Sequence, residues 1–198
     1  LSLLCLQCHT KNATFNLHDW NAGEHANNDV SCSDCHKLHS GADLIVSPSD
    51  TADMCFRCHQ KVKAEFMMPS RHPVAEKKVF CTDCHDPHGT VNDNLLRDDS
   101  PKEACTKCHS EKEGPFIYEH ADLTEDCTNC HRPHGSANNH LLKARPPFLC
   151  LQCHAGHQTS ATSTEERKAA FYTNCTDCHS QTHGTDLPSK SGKGMFTK

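Results

Sequence analysis

The fold of this chain depends on a short motif that is seen clearly in the segment Cys81-Thr82-Asp83-Cys84-His85-Asp86-Pro87-His88-Gly89. It holds two Cys separated by two residues, a His directly after the second Cys, and another His three residues further on. Two thiols at this spacing reach the two vinyl groups on one edge of a porphyrin, and the next imidazole then lies beneath the iron. The pattern C-x-x-C-H therefore predicts covalent attachment of a c-type haem.

The same pattern occurs eight times and uses all 16 Cys of the chain, so we expect eight covalently bound haem c groups. The predicted attachment residues are Cys5, Cys8, Cys32, Cys35, Cys55, Cys58, Cys81, Cys84, Cys105, Cys108, Cys127, Cys130, Cys150, Cys153, Cys175 and Cys178. The predicted proximal ligands of the haem irons are His9, His36, His59, His85, His109, His131, His154 and His179.

Three other uses of paired Cys fit less well. A zinc ribbon also has C-x-x-C units, but it does not require a His after each pair. A disulfide framework joins distant segments, whereas every Cys here belongs to a local pair. A thioredoxin-like C-x-x-C occurs once, in a βαβ setting that this sequence lacks. Haem attachment remains the favoured interpretation.

The motifs form a repeat. Their first Cys are 22 to 27 residues apart, which is typical of a quasi-linear array. A second, doubled period relates Cys32–Gly41, Cys81–Gly89, Cys127–Gly135 and Cys175–Gly184. We predict a single elongated octahaem domain over residues 1-187, built of four two-haem repeats at about 1-49, 50-99, 100-145 and 146-187. Residues 188-198 are predicted to be a flexible or docking tail.

The composition predicts a fold without an ordinary hydrophobic core. Leu, Ile, Val and Phe number 31 of 198 residues, which is below the roughly 20% that a folded chain normally needs. Bound haems must therefore supply the core. We expect the fold class of a multihaem cytochrome c: mostly irregular, with short α-helices, a haem-packed core and almost no β structure. Short helices are predicted over 101–110, capped by Ser100, and over 164–172.

Charge and hydropathy argue against nucleic-acid binding and against a membrane-spanning helix. Lys and Arg number 20 against 25 Asp and Glu, and a chain with a net charge of −5 is poorly suited to nucleic acid. No stretch approaches the roughly 18 consecutive apolar residues of a membrane helix, so we expect no membrane span of its own.

The surplus His predict a carrier rather than an enzyme. Ten His lie outside the motifs, so 18 are present where eight irons with two His each need sixteen. An iron closed on both faces passes electrons, whereas a catalytic haem keeps an open position for its substrate. We therefore expect bis-His haems and no catalytic residues.

Repeat positions rank the candidate distal ligands. Some precede a motif by seven to nine residues, and others follow a proximal His by three or four. A His three residues past the proximal ligand leaves on the proximal side of its own haem and should reach a different haem. The predicted distal set is His25, His39, His72, His88, His120, His134, His157 and His183. His18 and His140 break the pattern and are predicted to be spare.

Several longer segments resemble the MtrA/DmsE-type multihaem cytochromes. They are Glu113–His120, Cys127–Ser136, Leu141–Cys150, Cys55–Pro73, Cys81–Gly89 and Asn174–Gly184. The resemblance implies a chain of bis-His haems that carries electrons across the outer membrane. It implies a periplasmic cytochrome inside a porin-like outer-membrane β-barrel, with surface or periplasmic multihaem cytochromes or a reductase as further partners.

The chain departs from this family in its motif count. The family typically carries ten motifs, and the missing pair would precede Leu1, which leaves a true octahaem relative or a shortened chain as alternatives. Because haem c is attached outside the cytoplasm, we expect a mature periplasmic protein associated with the outer membrane. Two other functions stay open: a polymerising extracellular cytochrome filament and, less favoured because all eight motifs are standard, an octahaem reductase.

Overall fold

The computed structural model describes residues 2–9, 17, 19–37, 51–120, 126–154, 174–177 and 179–188. The chain divides into two compact units. Unit 1 comprises Leu1–Phe66 and His72–Ala104, and unit 2 comprises Met67–Arg71 and Cys105–Lys198. Each unit contains four of the eight motifs. The single elongated domain and the boundaries of the two-haem repeats stay predictions.

The regular structure of the described residues consists mainly of short helices. The α-helices are α1 Ser2–His9, α2 Glu24–Asn27, α3 Cys32–Cys35, α4 Thr51–Cys55, α5 Gln60–Glu65, α6 Cys81–Cys84 and α7 Pro101–Thr106. Turns of 3-10 helix cover Trp20–Ala22, Asp93–Leu95, Ser110–Lys112, Cys127–Asn129, Asn139–Leu141, Cys150–Gln152 and Cys175–Asp177. The predicted fold class, mostly irregular with short helices and very little sheet, is confirmed.

Seven of the haem motifs close one helical turn between the first Cys and the His. The backbone N–H of the motif His donates to the carbonyl of the first Cys four residues earlier, as in an α-helix. These donor–acceptor distances are 2.8 to 3.0 Å for His36, His59, His85, His109, His131, His154 and His179. The turn brings both Cys and the His close together on a short, well-defined backbone segment, which is what attachment of one porphyrin requires.

An Asp inside two of these motifs caps its own turn. The Asp34 carboxylate accepts a hydrogen bond from the backbone N–H of Ser31 at 2.7 Å, and Asp83 accepts from that of Phe80 at 2.8 Å. Both bonds satisfy a backbone donor that the start of a helix leaves unpaired. The bonds from the backbone and hydroxyl of Ser31 lower the pKa of Asp34.

Helix α7 begins where the sequence predicts. Ser100 Oγ accepts from the backbone N–H of Glu103 at 3.2 Å, and the Glu103 carboxylate accepts from the N–H of Asp99 at 3.1 Å. The α-helix ends at Thr106 rather than at Ser110, and the backbone at His109 is non-helical, with φ −106° and ψ 49°. The helix predicted over 164–172 and most of the predicted tail lie outside the described residues.

The sheet is minimal. Strand β1, Ser70–Arg71, pairs antiparallel with β2, Gly135–Ser136, and Ser70 lies opposite Ser136. Ser70 Oγ also accepts from the backbone N–H of Leu141 at 2.9 Å. These bonds fix Met67–Arg71 within unit 2.

The polypeptide buries few apolar side chains. The buried ones among the described residues are Leu6, Trp20, Val74 and Leu95, and no described side chain is less than 2% exposed. Large apolar side chains such as Met67 and Phe148 are 79% and 64% exposed. So small a core cannot offset the conformational entropy of about 1–2 kcal/mol per ordered residue.

Candidate haem-binding sites

Four pairs of His rings lie close together in the described parts of the two units. In unit 1 the ring centres of His36 and His88 are 6.0 Å apart, and those of His25 and His59 are 6.1 Å apart. In unit 2 the corresponding distances are 6.1 Å for His131 with His183 and 5.8 Å for His120 with His154.

This spacing suits two imidazoles that bind one metal ion from opposite sides. A metal–imidazole bond of about 2.0 Å and a further ~1.1 Å from the nitrogen to the ring centre give a separation of about 6.2 Å. Direct ring stacking would bring the centres closer. The residues present therefore fit an iron held between each pair.

Every pair joins a motif His to a His outside the motifs. The motif members are His36, His59, His131 and His154, and the others are His88, His25, His183 and His120. His88 lies against His36, the proximal candidate of another motif, and His183 likewise lies against His131. Exchanged ligation, in which a His just past the proximal ligand serves a different haem, stays a prediction that this pairing supports.

The pairs repeat between the units at a constant offset. His25, His36, His59 and His88 are 95 residues before His120, His131, His154 and His183. The four-motif unit is thus duplicated within the chain, a longer period than the two-motif repeat seen in the sequence.

Backbone carbonyls orient two of the three distal candidates that precede a motif. Nδ1 of His25 lies 3.0 Å from the carbonyl oxygen of Pro87, and Nδ1 of His120 lies 3.1 Å from that of Thr182. A carbonyl only accepts, so Nδ1 carries the proton and Nε2 keeps its lone pair for a metal. Metal-bound His are normally oriented by such outer hydrogen bonds.

Two proximal His are held in the same way by a tight turn. Nδ1 of His85 donates to the carbonyl of Asn94 at 2.8 Å, and Nδ1 of His131 donates to that of His140 at 2.7 Å. Asn94 and His140 have φ angles of 55° and 58°, in the left-handed region. His140, predicted to be spare, thus contributes its backbone to this interaction.

One short segment of unit 1 joins three candidate haem sites. His85 is a proximal candidate, the carbonyl of Pro87 orients His25, and His88 faces His36. His179, Thr182 and His183 repeat the arrangement in unit 2. The segment holds ligand candidates of neighbouring sites at fixed distances, because they are at most four residues apart in the chain.

Burial keeps two distal candidates neutral. It lowers the pKa of His88, against the opposing effect of the Asp86 carboxylate. It also lowers the pKa of His183, where the Lys112 ammonium adds to the effect. A neutral imidazole has the free lone pair that metal binding requires.

The Cys side chains bring consecutive motifs together within each unit. Before haem is attached, the thiols of Cys55 and Cys81 share a hydrogen bond, which raises the pKa of Cys55 and lowers that of Cys81 to about 7. Burial and the neighbouring Cys175 raise the pKa of Cys150 to about 11. The first Cys of two motifs also share a hydrogen bond at Cys5 and Cys32. The second Cys of consecutive motifs are near enough to interact electrostatically at Cys35 with Cys58 and at Cys130 with Cys153.

The other predicted ligands remain predictions. His72 and His134 are half-buried, as are the proximal candidates His85 and His179, whereas His9 and His109 are exposed. His18, His39, His157 and Cys178 lie outside the described residues. The sequence analysis did not predict the carbonyl acceptors. The similar segments Asn94-Leu95-Leu96 and His140-Leu141-Leu142 begin with the acceptors for His85 and His131, so this repeat was the available signal.

A glycine follows each of the distal candidates His88 and His183 for a steric reason. Gly89 and Gly184 have φ angles of 120° and 130°, which side-chain-bearing residues rarely adopt. A Cβ on Gly89 would lie 2.6 Å from the carbonyl oxygen of Asp19, and one on Gly184 would collide with the Phe116 ring. The close approach fixes the backbone beside each His.

We expect Gly89→Ala to destabilise the haem-loaded protein by about 2 kcal/mol or more, because strained backbone alone costs about 1–3 kcal/mol. Urea denaturation followed by circular dichroism measures the loss. Gly23→Ala is the matched control, since Gly23 packs against Gly89 but has an ordinary φ of −75°. An equal or larger loss in Gly23→Ala would contradict the steric account.

Comparisons with known proteins agree with the haem-attachment motifs. The family model described as "Doubled CXXCH motif" matches residues 25–64, 72–114 and 120–159, which is more than half of the chain. The chain is also similar to the protein named Multiheme cytochrome MtrA from Shewanella baltica (strain OS185). The two are 41% identical over 196 aligned positions, covering 94% of this chain and 58% of that protein. The chain therefore spans a little over half the length of this relative.

Proposed function

The chain belongs to the family of proteins with a doubled CXXCH motif, and from this premise we propose that it is an electron-transfer conduit with eight bis-His c-type haems. At the coarser level it is a multihaem cytochrome of the electron-transfer kind, as its motifs and its likeness to Multiheme cytochrome MtrA indicate. Bound haem supplies one-electron redox chemistry at its iron.

The paired His rings are the observation that carries this proposal. We assign His88 and His36 to one iron, His25 and His59 to a second, His183 and His131 to a third, and His120 and His154 to a fourth. His39, His72, His134 and His157 are proposed for the four sites whose proximal ligands are His9, His85, His109 and His179. Two His on each iron leave no position for a substrate, so a reductase is not favoured.

The Cys contacts support a sequential order of sites. In unit 1 the first Cys of the first motif lies beside the first Cys of the second motif, and the same holds for the third and fourth motifs. The second and third motifs are near each other at their second Cys. In unit 2 the sixth and seventh motifs meet at their second Cys, and the seventh and eighth at their first. Because these consecutive motifs are neighbours in space, porphyrins attached to them would lie close together.

We place this activity in the periplasm at the outer membrane. The support is the resemblance to the MtrA/DmsE-type cytochromes, for which the partners are a porin-like β-barrel and other multihaem cytochromes. No helix among the described residues has the length and hydropathy needed to span a membrane. A barrel satisfies all its backbone hydrogen bonds within lipid and can enclose a polar cytochrome.

The proposal predicts that the cytochrome co-purifies from its native membrane with a porin-like barrel. Liposomes are prepared that enclose a coloured electron acceptor and carry the purified complex. When dithionite is added outside, the enclosed acceptor should be reduced and lose its colour. Liposomes with the cytochrome alone are the control and should stay coloured. No transfer with the complex, or isolation of the native protein only as a homopolymeric fibre, would overturn the conduit function.

A further inference from the structure

The two equivalent His pairs differ in the charge beside the His that lies outside the motif. In unit 1, Oδ1 of Asp86 lies 3.5 Å from Nδ1 of His88 and accepts from the backbone N–H of His88 at 3.0 Å. The residue 95 positions later is Gln181, which has no charge. The Lys112 ammonium and the Glu111 carboxylate both act on His183, with opposite signs.

The Asp86 carboxylate is fixed in this position. Its Oδ2 lies 3.6 Å from Nη2 of Arg97, and Nε of Arg97 donates to the backbone carbonyl of His85 at 3.3 Å. The side chains of Asp86 and His88 are 22% and 29% exposed, so solvent screens their interaction only in part.

A carboxylate beside Nδ1–H of a ligating imidazole has a defined effect. It makes the imidazole a more basic ligand, and its negative charge favours ferric over ferrous iron. Both effects lower the reduction potential. A neutral side-chain amide at the same place, such as that of Gln181, increases the basicity of the imidazole less and favours ferric iron less.

We propose that Asp86 is a positioning residue that lowers the potential of the haem held by His36 and His88 relative to its counterpart held by His131 and His183. The inference rests on the proposed electron-transfer function and adds a direction to it. The reaction compared is the one-electron reduction of ferric to ferrous iron, with the electron supplied by an electrode. The counterpart in unit 2 is then the better electron acceptor.

The test is an electrochemical titration of the full haem-loaded protein, followed through haem methyl NMR signals that report each haem separately. In Asp86→Asn the ferrous form of the His36/His88 haem should be favoured about tenfold, the lower end of effects from outer-shell partners. That change raises a one-electron potential by about 59 mV. Gln181→Asp should move the His131/His183 haem in the opposite direction, and Asp86→Glu should stay close to the unmodified protein.

Opposite shifts in Asp86→Asn and Gln181→Asp, with low-spin spectra in both, support the inference, because a purely structural disturbance would not reverse its sign. Unchanged potentials, or shifts of the same sign, with all haems still low-spin overturn the inference and leave the proposed function intact. A high-spin signal from either haem in the unmodified protein overturns the inference and the ligand assignment of the proposed function together.

Discussion

Substitution of His88 by Ala should convert one haem from low-spin to high-spin and allow it to bind carbon monoxide when reduced. His88 faces His36 across 6.0 Å in unit 1, so its loss opens the iron that both are proposed to share. Axial ligands account for about 0.8 V of variation in haem potential, and we expect this haem to move upward by on the order of 0.1 V. Visible and electron paramagnetic resonance spectra measure the change.

His183→Ala repeats the experiment in unit 2, where His183 faces His131, and should give the same result. The matched control is His140→Asn. His140 contributes its backbone carbonyl from a left-handed position, which Asn tolerates well, so this variant should remain fully low-spin. A high-spin haem in His140→Asn, or none in His88→Ala, would refute the ligand assignment.

The second large effect concerns folding without haem. A chain in which all 16 Cys are replaced by Ser should lack a cooperative unfolding transition, because the described residues bury only four apolar side chains. Burying a large apolar side chain contributes about 1.5–3 kcal/mol, far below the entropy cost of ordering a chain of this length. Circular dichroism during heating should show a gradual change with no midpoint.

The haem-loaded protein is the control and should unfold cooperatively under the same conditions. Narrow amide dispersion in the NMR spectrum of the Cys-free chain would agree with the expected lack of structure. A sharp thermal transition in that chain would show that the polypeptide folds on its own, and the haem-packed core would then be wrong.

The sequence predicts the local structure well because the motif itself is local. The short helices follow from C-x-x-C-H, since the His N–H bonds the first Cys carbonyl within a single turn. The start of α7 follows from Ser100 and Pro101, which suit the first positions of a helix. The low count of apolar residues likewise predicts the small core.

The pairing of His across the fold could not be read from the sequence. His25 and the carbonyl of Pro87 are 62 residues apart, and nothing in the intervening segment specifies their contact. All ten His outside the motifs are chemically alike, so repeat position ranks them without saying which ring each one faces. The left-handed turns at Leu95 and Leu141 were also missed, because bulky residues rarely adopt positive φ.

The most direct test of the central claim is a spectroelectrochemical titration of the purified native protein under carbon monoxide. If eight irons each carry two His, the protein takes up eight electrons per chain, stays low-spin at every potential and forms no carbon monoxide complex. Uptake of fewer than eight electrons, or a carbon monoxide complex in the unmodified protein, would contradict the account of a closed octahaem electron carrier.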